Sequence, residues 1–312
     1  MQQTTSKQSL QTTDTIFMVR PAAFGFNPLA AESNAFMQET DELSGREISD
    51  KAKEEFDGMV AILQEAGIRV HVFEDEIVPY TPDAIFPNNW VSFHRSGRVI
   101  LYPMEPENRR PERRMDIVEA VLGEENNAQI VDLSSFEEED IFLEGTGSMI
   151  FDRINQVAYA CISPRTDPQL FARFCMEMGI EGHLFHATGS DGRPVYHTNV
   201  MMALGTSLAV VCLDSIRDTE EQQELISSLL ESDREIVEIS MEQMNQFAGN
   251  MLEVQNAENK AFMVMSRRAH DSLRPEQLEA IRAHAQPLVI PIDVIETYGG
   301  GSVRCMIAEV FK

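Results

Sequence analysis

The sequence predicts an α/β fold made as a cycle of similar units, not a doubly wound sheet. Three observations carry this. Short apolar strands alternate with amphipathic helices along the whole chain. Helices close at a glycine or just before a proline and run at once into another strand. Strand pairs joined by tight turns separate these units, and the pattern of helix, strand and hairpin recurs about five times, the mark of a repeat architecture. Loops from every repeat then converge on a central axis, where a ligand would sit.

In chain order, strands are expected at residues 15–19, 69–73, 90–93, 99–102, 129–132, 148–151, 157–162, 182–185, 198–204, 207–212, 235–238, 262–265, 287–290 and 302–310. Each is a short run of apolar or β-branched residues between turn formers. Helical patterns fill residues 50–66, 110–122, 167–178, 218–230, 241–247 and 275–285. Gly67 and Gly179 stand where a helix C-terminus favours glycine, while Pro275 suits a first helical turn and Pro287 follows the end of that helix. Tight turns are expected at Ser96 and Gly97, at Ile154 and Asn155, and at Gly205. No linker rich in Pro, Gly or Ser divides the chain. Residues 15–312 are therefore expected as a single domain behind a flexible tail of residues 1–14.

The 312 residues are 43% hydrophobic and 24% charged, an ordinary globular composition with length enough for a large core. A formal net charge of -26 disfavours nucleic acid and anionic lipid as partners. The polar start MQQTTSKQSLQTTD has no apolar core of a secretory signal, and no apolar run reaches the roughly 20 residues that cross a bilayer. Cys161, Cys175, Cys212 and Cys305 contain no CxxC pair, and few cysteines in a long chain suit a reducing cytoplasm. The composition leaves self-association open.

Chemistry concentrates in four stretches. In TPDAIFPNNWVSF, two carboxamides, Asn88 and Asn89, interrupt an apolar segment before the chain's only tryptophan. They form an ordinary turn or face a ligand that wants neutral hydrogen-bonding partners. Cys305 follows three glycines in YGGGSVRCMIAEVF, which is either a turn before a core strand or an accessible thiol with Arg304 beside it. His197 opens the apolar PVYHTNVMMALG, and Glu144 is a lone carboxylate between Leu143 and Gly145. A histidine so placed is more often a core or surface residue than a base, and most glutamates are solvated. His183 and His186 lack a carboxylate partner in the sequence, so no metal site is expected.

The order of these stretches is more specific than any one of them: a carboxamide loop, an acidic glycine loop, His, then a C-terminal Cys. It resembles the guanidine-modifying superfamily, whose pentein fold is shared by dimethylarginine dimethylaminohydrolase, arginine deiminase, arginine dihydrolase and glycine amidinotransferase. The likeness runs from VRPAAFGFNP to the terminal cysteine strand and is greatest to the citrulline-utilisation, amidinotransferase-like group. It implies a five-bladed α/β propeller of ββαβ repeats around a central active site. It also implies a catalytic role for the single domain, a small amino-acid substrate and no cofactor. Cys305 matches the nucleophile, His197 the acid and base, and Glu144 the carboxylate that holds substrate N–H groups. Arg165, in SPRTD, matches the arginine that pairs with the substrate carboxylate, with Arg20 as a second candidate. Asp83 and Asn89 belong to the first substrate loop.

Two positions depart from the deiminase pattern, which carries Asp where this chain has Asn89 and Asn199. Relatives with Asn at the first position look like dihydrolases. A guanidinium has only donors and suits carboxylates, whereas a ureido group also offers a carbonyl oxygen that a carboxamide can serve. The expectation is therefore hydrolysis of citrulline to ornithine, carbon dioxide and ammonia, with Asn89 and Asn199 steadying the oxyanion. An arginine deiminase, arginine dihydrolase or dimethylarginine hydrolase is the alternative, and a non-catalytic binding scaffold the third.

Overall fold

The computed structural model describes residues 10–40, 42–123 and 127–311. In chain order the strands and principal helices are β1 (Thr15–Arg20), α1 (Gly45–Glu65), β2 (Arg69–Glu74), β3 (Val91–Phe93), β4 (Arg98–Leu101), α2 (Met115–Leu122) and β5 (Gln129–Asp132). Then come β6 (Ile150–Asp152), β7 (Val157–Cys161), α3 (Pro168–Met178), β8 (Glu181–Phe185), β9 (Met202–Leu204), β10 (Leu208–Val211), α4 (Thr219–Glu231) and β11 (Glu235–Glu238). The last are β12 (Leu252–Gln255), β13 (Ala261–Ser266), α5 (Pro275–His284), β14 (Gln286–Ile290) and β15 (Ala308–Glu309).

These strands form five three-stranded sheets with one connectivity. In four of them a first strand pairs antiparallel with the next, the chain crosses over through a helix, and the third strand pairs parallel with the second. A parallel return needs such a crossover, which is why helical structure separates the second and third strands of each unit. The fifth unit is assembled from both ends of the chain: β15 pairs antiparallel with β1, and β1 pairs parallel with β2. This is the expected five-bladed α/β propeller, closed by the C-terminal strand.

Local chemistry explains the helices. Ser44 and Glu47 make a reciprocal capping box that starts α1 five residues before the expected position 50. Its buried stripe of Ile48, Ala52, Phe56, Met59 and Leu63 follows the helical repeat. Asp167 caps α3, whose C-terminus is Gly179 with φ of 68°. Pro111 breaks the helix expected over 110–122: residues Glu107–Glu112 form a 3₁₀ turn and α2 begins only at Met115.

Two expectations are corrected. The strands predicted at 148–151, 198–204 and 302–310 begin later than expected. Residues Gly145–Ser148 and Thr198–Met201 are single helical turns, and residues 303–306 a further turn, each immediately before the first strand of a blade. Pro87–Asn89 and residues 246–249 take the same place before β3 and β12. These turns are mostly buried and run straight into apolar strands, so periodicity does not mark where each strand begins. The second correction concerns the tail. Residues 1–9 lie outside the described residues, but 11–13 are buried and bonded: Gln11 donates to Phe151 O, Thr12 to Gln255 and Thr13 to Val310 O. These bonds tie the segment to three blades, so polar composition there reflects hydrogen bonding rather than solvation.

Candidate active site

The turns that precede β3, β6, β9, β12 and β15 bring Asn89, Glu144, His197, Asn250 and Cys305 together although they are spread over most of the chain. All five are buried. A narrow cavity is lined by Asp83, Asn89, Arg109, Arg165, His197 and Cys305, with Ala30, Asn34 and Phe86 also on its wall.

His197 stands on the wall of this cavity, and Glu144 is bonded to it from the interior. His197 Nε2 lies 2.8 Å from Glu144 Oε2, and Arg165 Nη1 lies 3.4 Å from the same oxygen. The other oxygen accepts the Glu105 N–H at 2.9 Å. Burial alone would raise the Glu144 carboxyl, but Arg165 and His197 outweigh it and hold it well below the usual carboxylate range. Burial pushes His197 below the ordinary imidazole range even though Glu144 pulls the other way. The pair is therefore an ionised carboxylate accepting the Nε2–H of a neutral imidazole, which leaves Nδ1 to take up a proton. Gly147 permits this assembly, because a Cβ there would collide with both the His197 ring and Asn89 Nδ2.

Arg165 is almost wholly buried and lies over the Tyr196 ring at 5.1 Å. Its Nε donates to Ser33 Oγ and its Nη2 to Ala30 O, so it also fastens residues 30–33 over the cavity. Nearby, Asn27 Nδ2 donates to Asp83 Oδ2 at 2.6 Å and Asn34 Nδ2 to Gly300 O at 3.3 Å. Gly300, at φ of 60°, is pressed against Asn34 and Met37, a contact no larger residue could make.

Cys305 has a different environment. Asn199 Nδ2 and Asn250 Nδ2 each lie 3.3 Å from its Sγ. Arg304, expected to supply positive charge to the thiol, spends its guanidinium on Ile307 O and Glu309. The other three cysteines are free and buried, and burial pushes the thiols of Cys161 and Cys175 up to about 12 and that of Cys212 to about 11.

The structure thus gathers Cys305, His197, Glu144, Asn89, Arg165, Asn199 and Asp83 at one place. Arg20 is not among them. It ends β1 at the surface, where Nε and Nη2 clasp Asp57 at 2.7 and 2.8 Å. Asn88 does not bond its own backbone as a turn former would: its amide is fully buried and meets no protein partner. Three other buried atoms at the site also have none, namely Asp83 Oδ1, Asn89 Nδ2 and Asn199 Oδ1. Buried polar atoms are rarely left unpaired, so Asp83 Oδ1 and Asn89 Nδ2, whose residues line the cavity, mark where a ligand's complementary groups would lie.

Sequence reasoning missed two residues. Arg109 is buried, donates from Nη1 to Asn89 Oδ1 at 2.9 Å and pairs with Glu112 at 2.8 Å. Burial pushes the Glu112 carboxyl up to about 8 against the pull of Arg109. The helix expected over 110–122 takes in part of the run ENRRPERR, and nothing in that run marks two of its charges for burial. Asn250 was missed as well, yet FAGNMLEV repeats the pattern of FPNNWVSF, with Phe247 answering Phe86 and Asn250 answering Asn89.

Comparison with known proteins bears on the family and the fold. A family model described as N,N dimethylarginine dimethylhydrolase, eukaryotic, matches residues 20–312. No curated protein matches the sequence. Among solved structures, the cyanobacterial arginine dihydrolase ArgZ superposes with a TM-score of 0.74 at 17% identity, covering 96% of this chain and 40% of that one. This chain therefore spans about two fifths of that protein. The N-terminal domain of ArgZ bound to product gives a TM-score of 0.71 at 17% identity, covering 96% of this chain and 97% of that one. A cysteine-to-serine mutant of DDAH from Pseudomonas aeruginosa, complexed with citrulline, gives 0.64 at 16% identity, covering 96% and 99%. At such identities the structures establish the shared fold, and the pentein architecture is theirs and this chain's alike.

Proposed function

Because the chain belongs to the N,N-dimethylarginine dimethylhydrolase family, we propose that it is a cysteine-dependent hydrolase of an arginine-type amino acid, carrying hydrolysis beyond the ureido stage to the ornithine-type amine. One observation carries this reading. Arginine has only donors, so the bond from Arg109 Nη1 fixes Asn89 with its oxygen toward Arg109 and its unpaired NH₂ toward the His197 side of the cavity. The reacting group thus meets both an anion, Glu144, and a neutral N–H donor, Asn89. A guanidinium uses the first and a ureido oxygen uses the second.

The chemistry then follows from the residues. The Cys305 thiolate adds to the guanidino carbon, Glu144 holds the substrate N–H groups, and His197 delivers the thiol's proton to departing ammonia. Water deprotonated at His197 Nδ1 attacks the S-bound carbon, the C–S bond breaks, and a ureido group results. In a second round the same sulfur adds to the ureido carbon, with the developing oxyanion held by Asn89 N–H. The amine leaves, and water releases the carbamoyl group as carbon dioxide and ammonia. The unpaired Asp83 Oδ1 supports a role in accepting from the substrate's ammonium group, and the position of Arg165 on the cavity wall supports a role in binding its carboxylate.

The sequence alone put citrulline first. The ionised Glu144 and the likeness to arginine dihydrolases support arginine ahead of it. A citrulline-only hydrolase is the second reading, favoured by the amide at Asn199. The test is incubation with arginine and with citrulline, assaying ornithine, citrulline and ammonia. Ornithine from both is expected, with two ammonia per ornithine from arginine. Citrulline accumulating from arginine, or arginine left untouched, would overturn the dihydrolase reading. Asn89→Asp keeps the bond from Arg109 but removes the N–H donor, so hydrolysis of citrulline should fall about 10- to 100-fold while the first attack on arginine persists.

A further inference from the structure

We infer that Asn250 is a further residue of the reacting centre, holding the nucleophilic sulfur by an N–H donor whose direction is fixed by the backbone. Its amide can be assigned without ambiguity. Asn250 Oδ1 accepts the Arg304 N–H at 3.0 Å, and a backbone N–H can only donate. The NH₂ must therefore face the other way, where one hydrogen meets Asn199 O at 2.9 Å and the second meets Cys305 Sγ at 3.3 Å.

This single side chain joins three of the residues that converge on the axis. It grips the backbone of the turn that carries Cys305, the backbone of the turn that carries Asn199, and the sulfur between them. Asn250 is 1% exposed, so no water competes for those hydrogens. With Arg304 engaged elsewhere, the negative charge that develops on Sγ is met by two carboxamide donors rather than by a cation. An N–H aimed at a sulfur favours the thiolate over the thiol. A neutral donor does so without offering a cation that would repel a guanidinium substrate.

The inference rests on Cys305 being the nucleophile, and the test separates the two. Cys305 alkylation by iodoacetamide is followed against pH, with no substrate present. Asn250→Asp keeps an acceptor for the Arg304 N–H but replaces the donor with an anion, and should move the alkylation profile up by about one pH unit or more. Asn250→Ala should move it in the same direction by less. Thermal melting of both variants reports whether the fold is kept. If the wild-type Cys305 is not alkylated ahead of the other three cysteines, the proposed function fails. If it is, and neither variant shifts the profile, only the role of Asn250 fails. Loss of fold in both variants would also overturn that role, by making Asn250 a structural tie.

Discussion

The two sides of the cavity handle buried polarity in opposite ways. On one side the Glu144 carboxylate pairs with Arg165 and accepts from the neutral His197, backed by Arg109 with Glu112 and Asp83. On the other, Cys305 is attended by Asn199 and Asn250 alone. Buried charges are tolerated only when paired, so the charged side is organised before any ligand arrives. Amides carry no such requirement. Each can be turned by one donor-only or backbone partner so that its remaining polar atoms face the reaction, as Arg109 turns Asn89 and Arg304 N turns Asn250. The charged side thus fixes position and protonation, and the neutral side meets the sulfur with amide N–H donors.

Breaking the charged side should have the largest effect. Glu144→Gln keeps the shape but strips Arg165 of its nearest anion, leaving Glu105 at 3.6 Å. Removing one partner of a buried pair typically costs about 3–5 kcal/mol, and the remaining carboxylate should keep this loss near the lower figure. Urea denaturation reads the stability and turnover the activity. If both are unchanged, the charged side does not act as a unit.

A smaller effect should come from pH. The folded-state value of His197 lies below its ordinary 6.5, at about 4, with burial as the main cause. The unfolded chain therefore binds the proton more readily, and stability is lost as pH falls from about 6.5 toward the folded value. At about 1.4 kcal/mol per unit the full loss is on the order of 3 kcal/mol. Glu144, held low, adds its own loss further into acid, as pH falls through its folded value. Melting curves of the wild type should slope downward over this window, and His197→Gln should flatten the upper part. Equal slopes would mean that the imidazole is charged in the fold.

The cycle of repeats, the hairpins, and most strands and helices were legible because their burial follows a clear period. The strand β12 was missed, since GNMLEVQN offers only a brief apolar run beside polar residues that are themselves buried. Arg20 apart, the residues gathered at the cavity were legible by their order and their resemblance, not by any local pattern. The orientation of an amide was not, because it depends on partners far away in sequence. Asn89 is turned by Arg109, and Asn250 reaches Cys305 from 55 positions away.

The smallest effect tests the boundary of the charged set. Arg20 grips Asp57 through two parallel bonds, at least as short as those of Arg109 to Glu112, yet its side chain is 30% exposed and that of Asp57 53%. An exposed pair is screened by water and contributes about 0–1 kcal/mol. Arg20→Ala should therefore lower stability by no more than about 1 kcal/mol and leave kcat and KM for arginine unchanged. A rise in KM without a change in kcat would return Arg20 to substrate binding and mean that the surface at the end of β1 reaches the ligand. An unchanged KM would leave carboxylate recognition to the buried arginines, where loss of water rather than bond geometry gives the same guanidinium its strength.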